Sequence, residues 1–425
     1  VCSSDLVLEK YQFSEKRDRA FFTRLVEGTL ERQITIDYVA DQFSKTKIRK
    51  CKPLIRALLR MGIYQLLYMD QVPDSAACNE AVKLAKKRGF SRLSGFVNGV
   101  LRNISRKKET ISYPKKDKNL VTYLSVTYSI PEWIIKFFMK TYDDETVEKI
   151  IESYLEDKKT TLCCLMSKGG KDVIRKELEE ENVTVEDGEL IENSVKISDY
   201  DFLYRLRAFR EGKCYVQDES SMFCAKLAGA KEGQFVMDLC SAPGGKSLYT
   251  ADQMKGSGQV LSRDLTEYKT DLIEDNIERM GFTNMEAEVF DATILDEEHI
   301  EAADVVIADV PCSGLGIMGK KNDIKYHISE DGMKDLVKLQ REILTNAVQY
   351  VKHGGTLIYS TCTINPEENE KNMQWIINNF DYEAVDITEE LPKNLKIETA
   401  KDGYIQLLPG VHPCDGFFIA KLRRK

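Results

Sequence analysis

Two cysteines follow neighbouring strands of the predicted C-terminal sheet and are candidates for chemistry. Cys312 lies in Asp309-Val310-Pro311-Cys312-Ser313-Gly314, and Cys362 lies in Ser360-Thr361-Cys362-Thr363. A single buried thiol usually serves only packing. Two thiols at strand ends, on the edge of the sheet where ligands bind, favour a functional interpretation. A thiolate can attack a substrate and form a covalent intermediate.

A glycine-rich loop after the first predicted strand is suited to close contact with a ligand. It consists of Cys240, Ser241, Ala242, Pro243, Gly244, Gly245 and Lys246. The glycines let a ligand approach the backbone, and the helix that follows directs its positive end toward that ligand. Asp264 follows the second strand and suits an acceptor for ribose hydroxyls, and Asp291 follows the third. The three strand ends together predict a nucleoside site.

The same loop leaves a nucleoside triphosphatase as an alternative. Gly245-Lys246-Ser247 resembles the end of a phosphate-binding loop, and Val305-Val306-Ile307-Ala308-Asp309 resembles the strand and aspartate that hold magnesium. The phosphate-loop pattern requires a glycine where Cys240 stands. Pro243 also lacks a backbone N–H that a phosphate cradle would use. The triphosphatase interpretation is therefore the weaker one.

The elements that must hold these residues alternate between strand and helix from about residue 214 onward. The strand candidates are Gln234–Leu239, Gln259–Ser262, Met285–Phe290, Asp304–Ala308 and Thr356–Ser360, and the clearest helices are 267–280, 331–351 and 366–379. This alternation predicts βαβ units and a parallel, doubly wound sheet. Tyr404–Leu408 and Gly416–Leu422 are predicted to form an antiparallel pair that closes the sheet.

The preceding part of the chain is different in character. Residues 17–106 carry apolar stripes at i, i+4 spacing, and Pro53 suits the first turn of a helix, so an all-helical module is predicted. Residues 121–210 combine helices near 131–155 and 170–181 with strand-like runs at Thr160–Leu165 and 194–198. We expect a small α+β module there.

Composition excludes several classes of protein. The chain has 425 residues, of which 42% are hydrophobic and 31% charged, and no run approaches the ~18 apolar residues of a membrane span. Eleven cysteines without a C-x-x-C, and four histidines without zinc spacing, argue against a disulfide scaffold and a zinc site. We expect a reducing, cytoplasmic setting, a monomer, no metal and no membrane partner.

The net charge of −8 conceals an asymmetry along the chain. Residues 1–110 hold 22 basic and 12 acidic side chains, a balance of +10, whereas the remainder has a balance of −18. This asymmetry indicates that the basic N-terminal module contacts a polyanion. The alternative is a solvated basic surface that binds no ligand.

The C-terminal motifs resemble those of the RNA cytosine carbon-5 methyltransferases of the Sun/Fmu, NOL/NOP/Sun superfamily. The matching runs are Asp238–Lys246, Asp309–Gly314, Ser360–Glu370 and Asp415–Ala420. The helical segment resembles the NusB-like RNA-binding domain of one branch, the ribosomal small-subunit RNA methyltransferase B family. The runs that carry this second resemblance are Arg17–Phe22, Met61–Leu67, Val72-Pro73, Asn79–Val82 and Phe96–Arg102.

The resemblance implies a fold and an activity. It implies a multidomain chain: an all-α NusB-like bundle, an α+β middle module, and an α/β Rossmann-like class I methyltransferase with a mostly parallel, seven-stranded sheet. The implied reaction moves a methyl group from S-adenosylmethionine to carbon 5 of a cytosine (cytosine 967) in 16S ribosomal RNA. By the family's pattern Cys362 is the nucleophile, Cys312 assists product release, Asp309 positions the base and Lys246 supports the thiolate or the base. The residues implied to bind the cofactor are 240–246, Asp264, Asp291 and Asp309.

We expect a NusB-like, RNA-binding domain over residues 1–107 and a linker over 108–120. An α+β module that binds RNA or connects the flanking domains is expected over 121–210, and the methyltransferase domain over 211–425. The chain starts without methionine, and family members begin with one further helix, so we expect N-terminal truncation. Two runs depart from the family pattern, Cys163-Cys164-Leu165 and Lys321-Asn322-Asp323. A non-catalytic RNA-binding factor with a methyltransferase fold is the remaining alternative, against which the intact cysteine pair argues.

Overall fold

A computed structural model describes residues 16–156 and 159–425. The described chain divides into two compact units. The first comprises the residues up to Glu156 together with Met318–His327, and the second comprises residues 159 to Ile317 and Ile328–Lys425. The predicted boundaries at residues 107, 120 and 210 stay a prediction, and the expected truncation concerns residues outside those described.

The first unit is built from helices. They are α1 (Lys16–Glu31), α2 (Gln33–Phe43), α3 (Pro53–Tyr68), α4 (Asp74–Lys87), α5 (Ser94–Arg106), α6 (Leu120–Tyr128), α7 (Glu132–Phe138) and α8 (Asp144–Ser153). Pro53 occupies the first position of α3, where a backbone N–H would lack a helical partner in any case. Apolar side chains from α2 to α5, among them Ile36, Leu59 and Leu101, share one core. The predicted helical module over residues 17–106 is confirmed.

One part of the first unit comes from far along the chain. We call Met318–His327 the inserted segment; it contains a short helix, Ile324–His327. Lys325 Nζ donates a hydrogen bond to the carbonyl of Glu31 at 2.8 Å, and the Tyr326 hydroxyl donates to the carbonyl of Leu30 at 2.8 Å. Both carbonyls lie at the C-terminal end of α1, where orphan acceptors and partial negative charge favour such donors. Burial lowers the pKa of Lys325 to about 7.

The second unit contains a small antiparallel sheet. Its elements are β1 (Thr160–Cys164), α9 (Gly170–Glu180), β2 (Thr184–Asp187), β3 (Ser194–Ser198), a short helix at Arg207–Arg210, and β4 (Cys214–Val216). The strands lie in the order β2-β3-β1-β4, all antiparallel. Ile174 and Leu178 of α9 belong to the same buried cluster as Leu162 of β1. The strands expected at 160–165 and 194–198 are confirmed.

The larger sheet carries the candidate site. Its elements are α10 (Glu219–Ala228), β5 (Phe235–Asp238), α11 (Gly245–Gln253), β6 (Gln259–Asp264), α12 (Glu267–Met280), β7 (Met285–Val289), β8 (Ala303–Asp309), α13 (Glu330–Tyr350), β9 (Val351–Thr361), α14 (Glu370–Asn379), β10 (Tyr382–Ala384), β11 (Tyr404–Leu407) and β12 (Phe417–Arg424). The strand order is β10-β12-β9-β8-β5-β6-β7, and β11 pairs with β12 beside this path. The five strands from β9 to β7 are parallel. The mostly parallel α/β sheet and its antiparallel closing pair are confirmed, although β11 makes the strand count eight rather than seven.

Both faces of this sheet are covered. Successive side chains of a strand point to opposite faces. Val236 of β5 and Ile307 of β8 belong to one buried cluster, whereas Met237 and Val306 belong to another. A parallel sheet buried on both faces needs strands that are apolar almost throughout. Polar side chains therefore concentrate where the strands end.

Across residues 16–156 and 159–425, none of the helices is long and apolar enough to cross a membrane. The same residues contain no group of three or more His, Cys, Asp or Glu side chains placed to hold a metal ion.

Candidate active site

The loop Cys240–Lys246 joins β5 to α11 in a tightly bonded conformation. Gly244 has φ +100°, a conformation that other residues rarely adopt. Ser241 Oγ lies 2.9 Å from Ser247 Oγ, which in turn donates to Asp238 Oδ2 at 2.7 Å. These hydrogen bonds fasten the loop to the last residue of β5, so its backbone has a defined shape before any ligand binds.

Two buried acceptors beside this loop have no hydrogen-bond partner within the described chain. They are Asp238 Oδ1 and Gln217 Oε1. Gln217 also lies against the start of α11, where a Cβ on Gly245 would come within 2.9 Å of Gln217 Nε2. Burial raises the pKa of Asp238 to about 6. Two unpaired buried acceptors suit a ligand that carries hydrogen-bond donors, as the amino-acid portion of S-adenosylmethionine does. The absence of a side chain at Gly245 leaves room for such a ligand to approach the backbone.

Asp264 and Asp291 lie at the next two strand ends, as predicted. Asp264 ends β6, and its carboxylate accepts from the N–H of Ala242 at 3.0 Å and from Lys269 Nζ at 2.8 Å. Asp291 accepts from the N–H and the hydroxyl of Thr293, and these hydrogen bonds lower its pKa. Since β5, β6 and β7 are adjacent, the structure brings the three strand ends to one edge.

Lys246 and Asp309 form an ion pair between the loop and the end of β8. Lys246 Nζ lies 2.5 Å from Asp309 Oδ2, and Asp309 Oδ1 accepts from Ser360 Oγ at 2.9 Å. Burial disfavours the ammonium, but the charge and hydrogen bond of Asp309, together with nearby Cys224 and Asp238, outweigh that effect, so the pKa of Lys246 is raised. Its side chain also lies over the Phe417 ring, 5.3 Å from the centroid. Lys246 thus contacts Asp309, the residue that the resemblance assigns to the base, and its expected support of the thiolate or the base stays a prediction.

The two predicted cysteines meet at the same edge. Cys312 Sγ and Cys362 Sγ are 3.3 Å apart. Their strands are adjacent, with Asp309 opposite Ser360 at the end of the β8–β9 pairing. The hydrogen bond to Cys362, together with burial, raises the pKa of Cys312 well above its ordinary value. The raised pKa favours the protonated form of Cys312, and either sulfur can donate the hydrogen bond that joins the pair.

Other cysteines of the second unit differ from this pair. Cys163, Cys214 and Cys224 are buried, and burial raises the pKa of each to about 12. The thiol of Cys240 packs near the core, and burial raises its pKa as well. Such thiols stay protonated and unreactive near neutral pH.

Several polar residues behind the cysteines were not singled out from sequence. Glu368, Asn369 and Gln340 are each fully buried, and Ser360 is buried beside Asp309. Glu368 and Asn369 lie within the motif Ser360–Glu370, and this motif is the sequence feature that could have indicated them. An acidic run before a helix is ordinarily a solvated first turn, so their burial could not be foreseen.

Solved structures identify the class of this protein. PH0851 is 27% identical, with a TM-score of 0.83 over 98% of this chain and 93% of that one. A methyltransferase homolog protein from Pyrococcus horikoshii is 26% identical, with a TM-score of 0.62 over 72% of this chain and 100% of that one. NSun6 from Pyrococcus horikoshii with SFG shares the fold, with 20% identity and a TM-score of 0.62 over 69% of this chain and 98% of that one. The protein has the fold of the Rossmann-like methyltransferases.

Sequence comparison gives the family. A model of "16S rRNA methyltransferase RsmB/F" matches residues 225–423, and one of the NusB family matches residues 3–106. "Probable ribosomal RNA small subunit methyltransferase B" of Bacillus subtilis (strain 168) is 37% identical over 99% of this chain and 93% of that protein. The protein of the same name from Synechocystis is 31% identical over 99% and 94%. The chain belongs to this family of 16S ribosomal RNA methyltransferases, and the resemblance predicted from its motifs is confirmed.

Proposed function

We propose that this chain transfers a methyl group from S-adenosylmethionine to carbon 5 of a cytosine in 16S ribosomal RNA, through a covalent bond between Cys362 and carbon 6 of the base. The observation that carries the proposal is the thiol pair Cys312–Cys362, 3.3 Å apart, on the edge of the sheet that holds the glycine loop. A methyltransferase that modified an oxygen or an exocyclic nitrogen would have no need of a thiol nucleophile.

The chemistry explains the need for a nucleophilic cysteine. Carbon 5 of cytosine is too weak a nucleophile to take a methyl group directly. When the Cys362 sulfur adds to carbon 6, the electrons of the 5,6 double bond move toward carbon 5 and activate it. The bound cofactor supplies an electrophilic methyl group on a positive sulfur. Carbon 5 then takes that methyl group as the bond between the methyl carbon and the cofactor sulfur breaks, which leaves that sulfur neutral. Transfer of the carbon-5 proton to water re-forms the 5,6 double bond and expels the Cys362 sulfur.

The contrast between the two thiols supports their assignment. Cys312 holds its proton because of its hydrogen bond to Cys362 and its burial. A thiol that keeps its proton is the poorer nucleophile of a pair, because the attacking form of cysteine is the thiolate. Cys362 therefore acts as the nucleophile. Cys312 remains beside it and assists release of the product.

Asp309 and Lys246 act together at the base. We assign Asp309 to the ring nitrogen and exocyclic amine of the cytosine, where a carboxylate stabilises the protonated adduct. The hydrogen bond from Ser360 and the ion pair with Lys246 fix its orientation. Lys246 thus supports catalysis through Asp309.

The loop residues Cys240, Ser241, Ala242, Pro243, Gly244, Gly245 and Lys246, together with Asp264, Asp291 and Asp309, are proposed to line the cofactor site. Asp264 suits the ribose hydroxyls, because its carboxylate is already held beside the loop by the N–H of Ala242. In other nucleoside sites, too, an acidic residue about 20 positions beyond a glycine loop binds the ribose hydroxyls.

The first unit is proposed to dock the RNA. Exposed basic side chains cluster on α4 and α5 and just beyond; they are Lys83, Lys86, Lys87, Arg88, Arg102, Arg106 and Lys107. Basic clusters bind phosphates with an affinity that falls steeply with salt. A cytosine within a base stack is unreachable, so the target must be single-stranded or flipped out.

The proposal is tested by mapping the modification. Purified protein, S-adenosylmethionine and 16S ribosomal RNA lacking the modification should yield one 5-methylcytosine in bisulfite sequencing, which we expect at cytosine 967 from the family resemblance. Methylation at another position of cytosine, or of another base, would contradict the proposal.

A further inference from the structure

Two consecutive buried residues lie directly behind the thiol pair. Glu368 and Asn369 precede α14 and are each 0% exposed. A carboxylate is almost never buried without compensating hydrogen bonds, because its desolvation is costly. The partners of these two side chains therefore show what the burial achieves.

Glu368 binds the loop that carries Cys312. Its carboxylate accepts from the N–H of Ser313 at 2.9 Å and from the hydroxyl of Ser313 at 2.5 Å. It also accepts from Gln340 Nε2 at 2.9 Å, and the same nitrogen donates to the carbonyl of Pro311 at 2.9 Å. Asn365 Nδ2 supplies a fourth donor at 2.8 Å. Both chain neighbours of Cys312 are thus held by Glu368, one directly and one through Gln340.

Asn369 binds the loop that carries Cys362. Its Oδ1 accepts from the hydroxyl of Thr361 at 2.6 Å, and its Nδ2 donates to the carbonyl of Thr363 at 3.0 Å. Nδ2 also donates to Gln406 Oε1 at 2.6 Å. Both chain neighbours of Cys362 are therefore held by one amide.

We propose that Glu368 and Asn369 are positioning residues that set the separation of the two thiols, Glu368 by holding the Cys312 loop and Asn369 by holding the Cys362 loop. Because the two residues are adjacent in the chain, one rigid dipeptide fixes both loops relative to each other. A further hydrogen bond, 2.7 Å between Ser313 Oγ and Thr363 Oγ1, joins the loops directly. This inference rests on the proposed function, in which the two cysteines act in successive steps.

The residue types at the two positions are matched to their partners. Four donors converge on Glu368, and a carboxylate has acceptors for all of them. A glutamine of the same shape would direct an NH2 group at one pair of these donors. Asn369 faces a hydroxyl on one side and carbonyls on the other, so an aspartate of the same shape would direct an oxygen at the carbonyl of Thr363. Each isosteric exchange therefore removes direct contacts to one loop and keeps the direct contacts to the other.

The negative charge of Glu368 has a second effect on Cys312. It adds to the influences that raise the pKa of that thiol, after the hydrogen bond to Cys362 and burial. Glu368 accordingly helps to keep Cys312 protonated while Cys362 attacks.

The test compares Glu368→Gln with Asn369→Asp in the full-length protein, using 16S ribosomal RNA. Two rates are measured: formation of the denaturation-resistant RNA adduct in a single turnover, and its decay. We expect Glu368→Gln to slow decay about tenfold or more while formation changes little, because misplacement of a reacting group costs up to about 10²-fold. We expect Asn369→Asp to slow formation by a similar factor, with little adduct accumulating. The matched controls are Glu367→Gln and Asn378→Asp, whose side chains are exposed and make none of these contacts, and both should behave as wild type.

Equal slowing of both steps in both variants, or wild-type behaviour of both, would overturn the inference. If Glu368→Gln does not fold, Gln340→Met provides a test on the Cys312 loop, since it removes the donor to both Glu368 and the carbonyl of Pro311 and should slow decay. Glu368→Asp, which keeps the charge, should restore part of the decay rate. Failure of the wild-type protein to form any adduct through Cys362 would instead refute the proposed function, so the two failures are distinguishable.

Discussion

Lys246 Nζ lies 2.5 Å from Asp309 Oδ2, and this ion pair joins the start of α11 to the end of β8. The side chains are 11% and 24% exposed, so water compensates neither charge fully. Two adjacent strand ends, one beside the glycine loop and one beside Cys312, are therefore joined electrostatically. This junction links the proposed cofactor site to the proposed base site.

Breaking this pair from either side should destabilise the protein. We expect Lys246→Met and Asp309→Asn each to lower the free energy of unfolding by about 3 kcal/mol, because each leaves a largely buried partner without its counter-charge. The double variant should lose less than the sum, by about 1 kcal/mol or more. Urea denaturation of the four proteins measures this coupling. Additive losses would show that the two side chains do not interact in solution.

Replacing the nucleophile should abolish methyl transfer without affecting the cofactor. Cys362→Ser is expected to reduce the single-turnover rate at least about 10³-fold, since the nucleophile carries most of a covalent mechanism. Calorimetric affinity for S-adenosylmethionine should stay the same. Cys51→Ser, in the first unit, is the matched control and should keep full activity. Substantial transfer by Cys362→Ser would exclude its assigned role.

Removing the second thiol should have the opposite kinetic signature. Cys312→Ala is expected to accumulate a covalent RNA–protein complex that survives denaturing electrophoresis, because adduct formation proceeds and release is impaired. The complex should disappear in the double variant with Cys362→Ser. If Cys312→Ala gave no such complex while methylation also ceased, Cys312 would be needed before the adduct rather than after it.

Lys325 predicts a pH dependence of stability. Its pKa falls from the ordinary 10.5 to about 7 in the folded chain because the ammonium is buried. Between these two pH values the folded state binds fewer protons than the unfolded state, so the free energy of unfolding rises as pH rises from about 7 toward 10.5. Below pH 7 the destabilisation caused by burying the charged Lys325 is present in full. Relative to Lys325→Met, the wild type should gain about 2 kcal/mol between pH 6 and pH 9.

Urea denaturation at several pH values measures this difference between the two proteins. Lys45→Met, at an exposed position of the same unit, is the control and should track the wild type at every pH. A constant difference between wild type and Lys325→Met would mean that water reaches Lys325 when the protein is folded.

The positions of the candidate site residues follow from local features of the sequence. A parallel strand buried on both faces is an apolar run, and the polar residue that follows it must lie at the carboxyl edge. Asp264, Asp309 and Cys312 were therefore placed from their strands alone, and the adjacency of β8 and β9 then brought Cys362 to Cys312. The pairing of Lys246 with Asp309 required knowledge of strand order, which sequence spacing does not contain.

The supporting residues could not be predicted in this way. Glu368 and Asn369 read as part of a charged, solvated first turn, and only tertiary packing shows that they are buried. The membership of Met318–His327 in the first unit was equally hidden. Its residues follow the Cys312 loop in sequence, and nothing in their spacing indicates that Lys325 and Tyr326 bind the end of α1.

The inserted segment has a consequence for synthesis of the chain. The first unit contains Met318–His327, which leaves the ribosome long after Glu156. Domains generally fold in order as they emerge, with the N-terminal one first. Here the helices of the first unit can associate early. The carbonyls of Leu30 and Glu31 obtain their hydrogen bonds from Tyr326 and Lys325 only after β8 has been synthesised. Completion of the N-terminal unit is thereby tied to translation of the strand that precedes the Cys312 loop, and a fragment ending at residue 156 would lack one of its own parts.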